Sequence, residues 1–205
     1  VASVAALLCA GAALWLAYAE RLHPNVWVRG GVRVATLGYA VPGLVLAVAL
    51  MVPLTSVDKW LATLLRDNFD VRWGLLITGS SAALIFVYVA RFLTVAFNST
   101  QAGLTQIHPQ LDAAARSLGH EPGIVLRRVH LPLLRPAVIT GLLLVFIDVM
   151  KELPATLILR PFNFETLATW VYRFASDERL AQASTAALVI VLMSLIPTMV
   201  LSRLR

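Results

Sequence analysis

"LDAAARSLGHEPGIVLRRVHLPLLRP", Leu111–Pro136, is a polar segment punctuated by Gly and Pro, set between two of the most apolar runs of a 205-residue chain. "LDAAARSL" consists mainly of strong helix formers and predicts a short helix. Gly119 stands where a left-handed residue would end it. Pro122 suits the first position of a second helix, with Glu121 near its positive end. That helix runs through Ile124–Val129 and is expected to finish before Pro132. Ala114 and Ala115 offer a small-residue surface that another protein could approach closely. A mere linker does not explain the segment, because most helix connections take about 2–8 residues. The expectation is a bent pair of short helices held against whatever the flanking runs build.

Those flanking runs set the class. The chain is 59% hydrophobic and only 14% charged, where a soluble domain has about 45–50% apolar and about 25% charged residues. Uncharged runs occupy Val1–Ala19, Val34–Val57, Trp73–Ala90 and Leu180–Ser202, and Ala137–Leu159 is broken only by Asp148, Lys151 and Glu152. A helix needs roughly 20 apolar residues to cross a bilayer. The expected fold is therefore all-α, a polytopic transmembrane helical bundle. Its spans fall at about 1–19, 34–57, 73–97, 137–159 and 180–202, with a cytoplasmic loop over 98–136. Val1–Ala19 lacks a basic flank and a small-residue cleavage site, so it reads as a span and not a signal peptide. The single cysteine, Cys9, permits no internal disulfide.

Orientation follows from the basic residues of the loops. Segment 20–33, loop 98–136 and the tail carry nine basic against three acidic residues, which is the whole net charge of +6. Loops 58–72 and 160–179 balance to zero. The basic segments are read as cytoplasmic and the N-terminus as external. The positive excess then requires no nucleic-acid partner. "VDKWLATLLRDNF" reads as an external helix lying on the membrane surface. "FETLATWVYRFASDERL" reads as a second, either an interfacial cap or a partner-binding surface, with Glu165 in its first turn. Arg91 is placed near the cytoplasmic end of the third span, snorkelling to the interface. Pro42-Gly43, Pro53 and Pro197 are read as bends.

Several chemistries are missing. There is no G-x-x-x-x-G-K-[ST] loop, H-E-x-x-H, C-x-x-C or G-x-S-x-G. His23, His108, His120 and His130 have no metal-site spacing. No catalytic, cofactor-binding or metal-ligating residue is assigned, and an enzyme embedded in the membrane is poorly supported.

The segment at 111–136 resembles the cytoplasmic signature loop of ABC importer permeases: Glu-Ala-Ala, three residues, Gly, nine residues, Ile, any residue, Leu-Pro. Ala114, Ala115, Gly119, Val129, Leu131 and Pro132 fill that pattern at its spacing. Ala113 replaces the glutamate, with Asp112 one residue earlier. The resemblance covers essentially the whole chain. It implies a single permease domain over 1–205 with the type I importer fold, and a coupling helix docking on a cytoplasmic ABC ATPase that binds the nucleotide. It further implies an external (periplasmic) solute-binding protein, a second permease half or identical subunit, and residence in a bacterial inner membrane. "LGYAVPGLVLAV" (Leu37–Val48) and "DVMKELPATLILRPFNFETLAT" (Asp148–Thr169) are similar to the C-terminal half of ferric-iron importer permeases. In that subfamily one long chain often carries two halves, which suits the missing initial Met. Thiamine, phosphonate, sulfate and polyamine importers are rivals within the class. A secondary transporter is the rival outside it, but would have no use for a docking pair of this kind.

"DVMKELP" holds the remaining ionisable cluster. Counted at about 1.5 Å per residue from Arg135, Asp148 lies about 20 Å and Glu152 about 25 Å into the membrane, in its outer third. Asp148 and Glu152 are expected to share a helix face, with Lys151 three residues from Asp148. Two readings stand. One is an internal ion pair beside a kink at Pro154; the other is a pair of carboxylates lining the path of a cation, with Pro154 freeing a carbonyl nearby.

Overall fold

A computed structural model describes residues 1–69 and 76–203. The expected start of the third span at Trp73, and the charges of Asp70, Arg72 and Arg205, lie outside the described residues. Ten α-helices are present among the described residues, five of them in segments long and apolar enough to cross a membrane. No strand occurs among those residues.

Three spans form the core: α1 (Ala2–Leu22), α4 (Ser81–Thr105) and α7 (Leu131–Met150). α1 contributes a buried row of small residues, Ala5, Ala6, Cys9, Ala13 and Ala17. Lipid tails are as apolar as leucine, so helices in a bilayer gain most where small residues let backbones approach. α4 fills that row with Leu84, Val87, Tyr88 and Phe92. Against α7 the pattern reverses. A methyl on Gly103 would sit 2.5 Å from the Ala137 side chain, and one on Gly141 would sit 3.1 Å from the Ala96 backbone. Ser99 adds a hydrogen bond to the Ala137 carbonyl at 2.7 Å. Trp15, Val52, Leu188, Leu192 and Ile196 point out of the bundle, an apolar exterior far too extensive for a soluble monomer.

The second span is broken, contrary to the continuous helix expected over 34–57. α2 (Val26–Ala35) ends before it crosses, a 3-10 turn follows at Gly38–Ala40, and α3 runs from Gly43 to Phe69. Pro42 removes a donor and holds Val41 extended at φ −84°, ψ 132°. Gly38 lies so close to α4 that a Cβ would meet the Ala90 carbonyl oxygen at 1.9 Å. Irregular backbone at membrane depth needs partners from the protein itself. Two α4 side chains supply them: Thr94 donates to the Thr36 carbonyl at 2.6 Å and Arg91 to the Val41 carbonyl at 3.1 Å.

The surface helix expected after residue 57 is the outer end of α3. Asp58, counted with the loop charges, is 1% exposed. Its carboxylate accepts the backbone N–H groups of Leu76, Ile77 and Thr78, pinning the approach to α4.

Two boundaries shift around the expected cytoplasmic loop. α4 continues to Thr105, so part of the expected loop 98–136 is still helix. α6 (Pro122–Val125) does not stop before Pro132; it passes through a π-helical turn, Leu126–His130, into α7. A π turn relieves the clash that a proline ring makes with the preceding turn, which a regular helix could not absorb. The chain breaks again after Met150, and α8 (Pro154–Leu159) begins at the proline expected to kink a continuous helix. α9 (Leu167–Ser176) starts with a Thr166–Thr169 capping box, so Glu165 precedes the helix. α10 (Leu180–Arg203) is the last span and carries Pro197 inside it.

Candidate functional site

The segment expected to be cytoplasmic folds as two short helices around a tight reversal. In α5 (Gln110–Ser117) the last turn closes through His120 N–H to the Ala115 carbonyl, 3.1 Å, and Gly119 N–H to the Arg116 carbonyl, 3.0 Å. This is a Schellman motif. Gly119 carries the required left-handed backbone, φ +76°, with open space where a Cβ would be. Conformation, not crowding, selects glycine there. Glu121 is extended and Pro122 opens α6.

Of the signature residues, Ala113 and Ala114 are exposed and Ala115 is buried. The small-residue surface is thus formed by 113 and 114, one position earlier than expected. Leu111 and Leu118 flank it, Leu118 at 75% exposed. Val129 and Leu131 are half-buried and Pro132 is exposed at the start of α7.

The segment is bolted to the bundle by residues that sequence reading missed. Arg21, at the end of α1, donates to Asp112 Oδ2 at 2.7 and 2.9 Å. The same guanidinium donates to the carbonyls of Leu104 (2.7 Å) and Ile107 (2.9 Å), where α4 ends. A cation is favourable at such a terminus. His130 is fully buried, its Nε2 2.9 Å from Asp112 Oδ1 and its ring edge-on to Tyr18. Tyr18 in turn donates to the Pro122 carbonyl at 2.7 Å. α1 therefore holds α4, α5 and α6 together at one point. Asp112 faces into this bolt while Ala113, at the glutamate position, faces out. The signal in the sequence was the displaced acid and an arginine at a span end, but nothing local paired them.

The intramembrane cluster is split by the helix break. Asp148 pairs with Lys151 at 2.8 Å. Glu152, beyond the end of α7, turns the other way and lies 3.5 Å from Arg91 Nε. The two carboxylates do not share a face, which corrects the expectation. Glu152 is buried, accepts Ala155 N–H at 3.3 Å, and its backbone carbonyl accepts the Thr156 hydroxyl at 2.7 Å. Arg91 is no snorkelling residue, because α4 extends well past it on both sides. It lies ten residues from Ser81 and fourteen from Thr105, so about 15 and about 21 Å from the two ends. Glu152 opposite it is thus level with the middle of α4 and not in the outer third. Gly43 makes room for the pair: a methyl there would fall 2.5 Å from Arg91 Nη1 and 2.6 Å from Glu152 Oε1. Arg91 thereby joins both helix breaks, through Val41 and through Glu152.

Just ahead of α9, Glu165 receives Arg160, Arg173 (3.2 Å) and the Thr169 hydroxyl (2.8 Å). Burial pushes its carboxyl up, but these donors outweigh burial and hold it below the ordinary carboxylate value. Arg173 also stacks over Trp170 and Phe174.

Comparison with known proteins follows the same outline. Residues 10–205 match the family described as binding-protein-dependent transport system inner membrane component. The Fe(3+)-transport system permease protein FbpB 2 of Haemophilus influenzae is 30% identical over 197 residues, 96% of this chain and 35% of that protein. The 2-aminoethylphosphonate transport system permease protein PhnV of Salmonella paratyphi A is 28% identical over 161 residues, 72% of this chain and 61% of that protein. The chain thus spans about a third of the length of the first relative and under two thirds of the second.

Proposed function

We propose a function on the premise that this chain belongs to the family of binding-protein-dependent transport system inner membrane components, the permeases of ABC importers, as a multi-pass protein of the inner membrane. Our reading is that it forms a membrane-spanning part of an ATP-driven importer of ferric iron. A cytoplasmic ABC ATPase docks on α5 and the Gly119 reversal; an external solute-binding protein delivers cargo; a second permease half, fused or separate, completes the path. The observation that carries the coupling role is the bolt at Arg21, Asp112 and His130. It makes a force on the exposed Leu111–Leu118 face act directly on α1, α4 and α7.

For cargo, the ferric relative matches nearly the whole chain, which favours iron. The phosphonate relative supports a second reading, 2-aminoethylphosphonate. Of the intramembrane charges, Asp148 and Lys151 are kept as path residues, and Glu152 is assigned to the pair with Arg91. The test compares cells with and without the intact gene for uptake of radioactive ferric iron and of labelled 2-aminoethylphosphonate. Energy-dependent loss of iron uptake alone supports the reading. Loss of phosphonate uptake alone replaces the cargo, and loss of neither rules out both cargoes.

A further inference from the structure

Beside the first helix break lies an open recess of about 420 Å³, lined by Tyr39, Thr94, Asn98, Ser99, Leu144 and Asp148. Thr94 and Ser99 have committed their hydroxyls to the carbonyls of Thr36 and Ala137. The phenol of Tyr39, the amide of Asn98 and the carboxylate of Asp148 remain to meet what enters. Asn98 is exposed, yet it lies seven residues inside the end of α4, about 10 Å along the helix. An exposed amide inside a spanning helix, with a carboxylate beside it, belongs on a protein-facing or water-filled side. Asp148 is mostly covered, whereas the ammonium that pairs with it is 63% exposed on a flexible stem.

We propose that this recess is a hydrated station for a hard trivalent cation, and that the Lys151 ammonium occupies the Asp148 carboxylate whenever no cation does. The inference rests on the permease reading and adds the residues and the resting occupant. Phenol, amide carbonyl and carboxylate are oxygen donors, the kind hard cations take. A path also has to release what it binds. A tethered ammonium competing for the one carboxylate keeps the station weak without any movement of the helices. Glu152 cannot serve, because Arg91 and the α8 backbone already hold it.

The test uses the full chain in membrane vesicles and a water-soluble, membrane-impermeant thiol reagent. The native Cys9 is fully buried and gives a quiet background. Leu144→Cys, on the wall of the recess but not among its donors, is expected to react at least about tenfold faster than Leu188→Cys on the apolar exterior of α10. Terbium(III) at slightly acidic pH, as the cation probe, slows that reaction. Adding Asp148→Asn removes the protection, and adding Lys151→Met lowers the terbium needed for half-protection by about tenfold. Tyr39→Phe, which loses only a hydroxyl, weakens protection and serves if Asp148→Asn does not insert. Equal rates for the two cysteines, or protection indifferent to Asp148, Tyr39 and Lys151, overturn the proposal. ATP-driven iron uptake is scored in parallel: uptake without protection removes the station alone, and protection without uptake removes the ferric-cargo reading alone.

Discussion

Arg91 and Glu152 show how a charge can be held at the middle of a bilayer. Each alone would be expensive there, and their attraction is useful only because Gly43 leaves space between them. Removing one partner strands the other. Arg91→Met or Glu152→Leu is therefore expected to destabilise the protein by about 3–5 kcal/mol, while the double substitution recovers most of that loss. Thermal unfolding in detergent reads the difference, and equal losses in the single and double variants would contradict the pairing. Gly43→Ala is expected to behave like a single loss. Neither residue could be paired from sequence: they are 61 positions apart, and their meeting depends on a helix break that hydropathy does not register.

At the scale of elements, the five spans were legible because length and the absence of charge are one-dimensional properties. The breaks at 36–42 and 151–153 were not. Pro42-Gly43, Pro154 and the charges of Lys151 and Glu152 marked only bends, and the full breaks depend on contact with α4: the Ala90 carbonyl against Gly38, Thr94 and Arg91 against freed carbonyls, and Arg91 against Glu152. The α5 reversal was legible, since Gly and Pro declare backbone geometry locally. Its left-handed residue gives a graded prediction. Gly119→Asn is expected to be tolerated and Gly119→Ala to cost about 1–2 kcal/mol locally. Gly119→Val is expected to uncouple substrate-stimulated ATP hydrolysis in the reconstituted complex while the protein still inserts, because a β-branched residue there is a genuine outlier. Unchanged stimulation in the valine variant would contradict this. On the opposite side, α9 has its own switch. Glu165 titrates below its ordinary value of 4.5, so its stabilisation is complete above that value and is lost as pH falls through the lower, folded-state value. Trp170 fluorescence is expected to stay constant from neutral pH down to that ordinary value and to change only below it. In Glu165→Gln the acid transition is expected to disappear; an identical acid transition in that variant would show that another group controls α9.

For the whole molecule, two constructions meet in α1, α4 and α7. Small-residue packing makes these three helices one unit within the membrane, and the bolt at Arg21 and Asp112 extends that unit to α5 and α6. The apolar and small face of Leu111, Ala113, Ala114 and Leu118 stays outside, free to be covered. The same unit borders the open recess at Asp148 and the pair at Arg91. A push on α5 thus has a continuous solid route to the polar centre of the membrane. Sequence reading singled out the residues at the two ends of this route, the signature loop and the charged cluster, as candidates. It missed the route itself, because Tyr18, Arg21 and His130 carry meaning only once α1 is laid beside α4.

The central claim, that the Leu111–Leu118 face receives an ATPase, is tested most directly with Leu118→Arg. An exposed leucine at the end of a surface helix contributes little to folding, whereas a charge set into an apolar docking face is strongly disruptive. The account predicts normal insertion and thermal stability, with binding of the cognate ATPase subunit weakened at least about tenfold and substrate-stimulated ATP hydrolysis lost with it. Full ATPase binding and full stimulation in a normally inserted Leu118→Arg protein would contradict it.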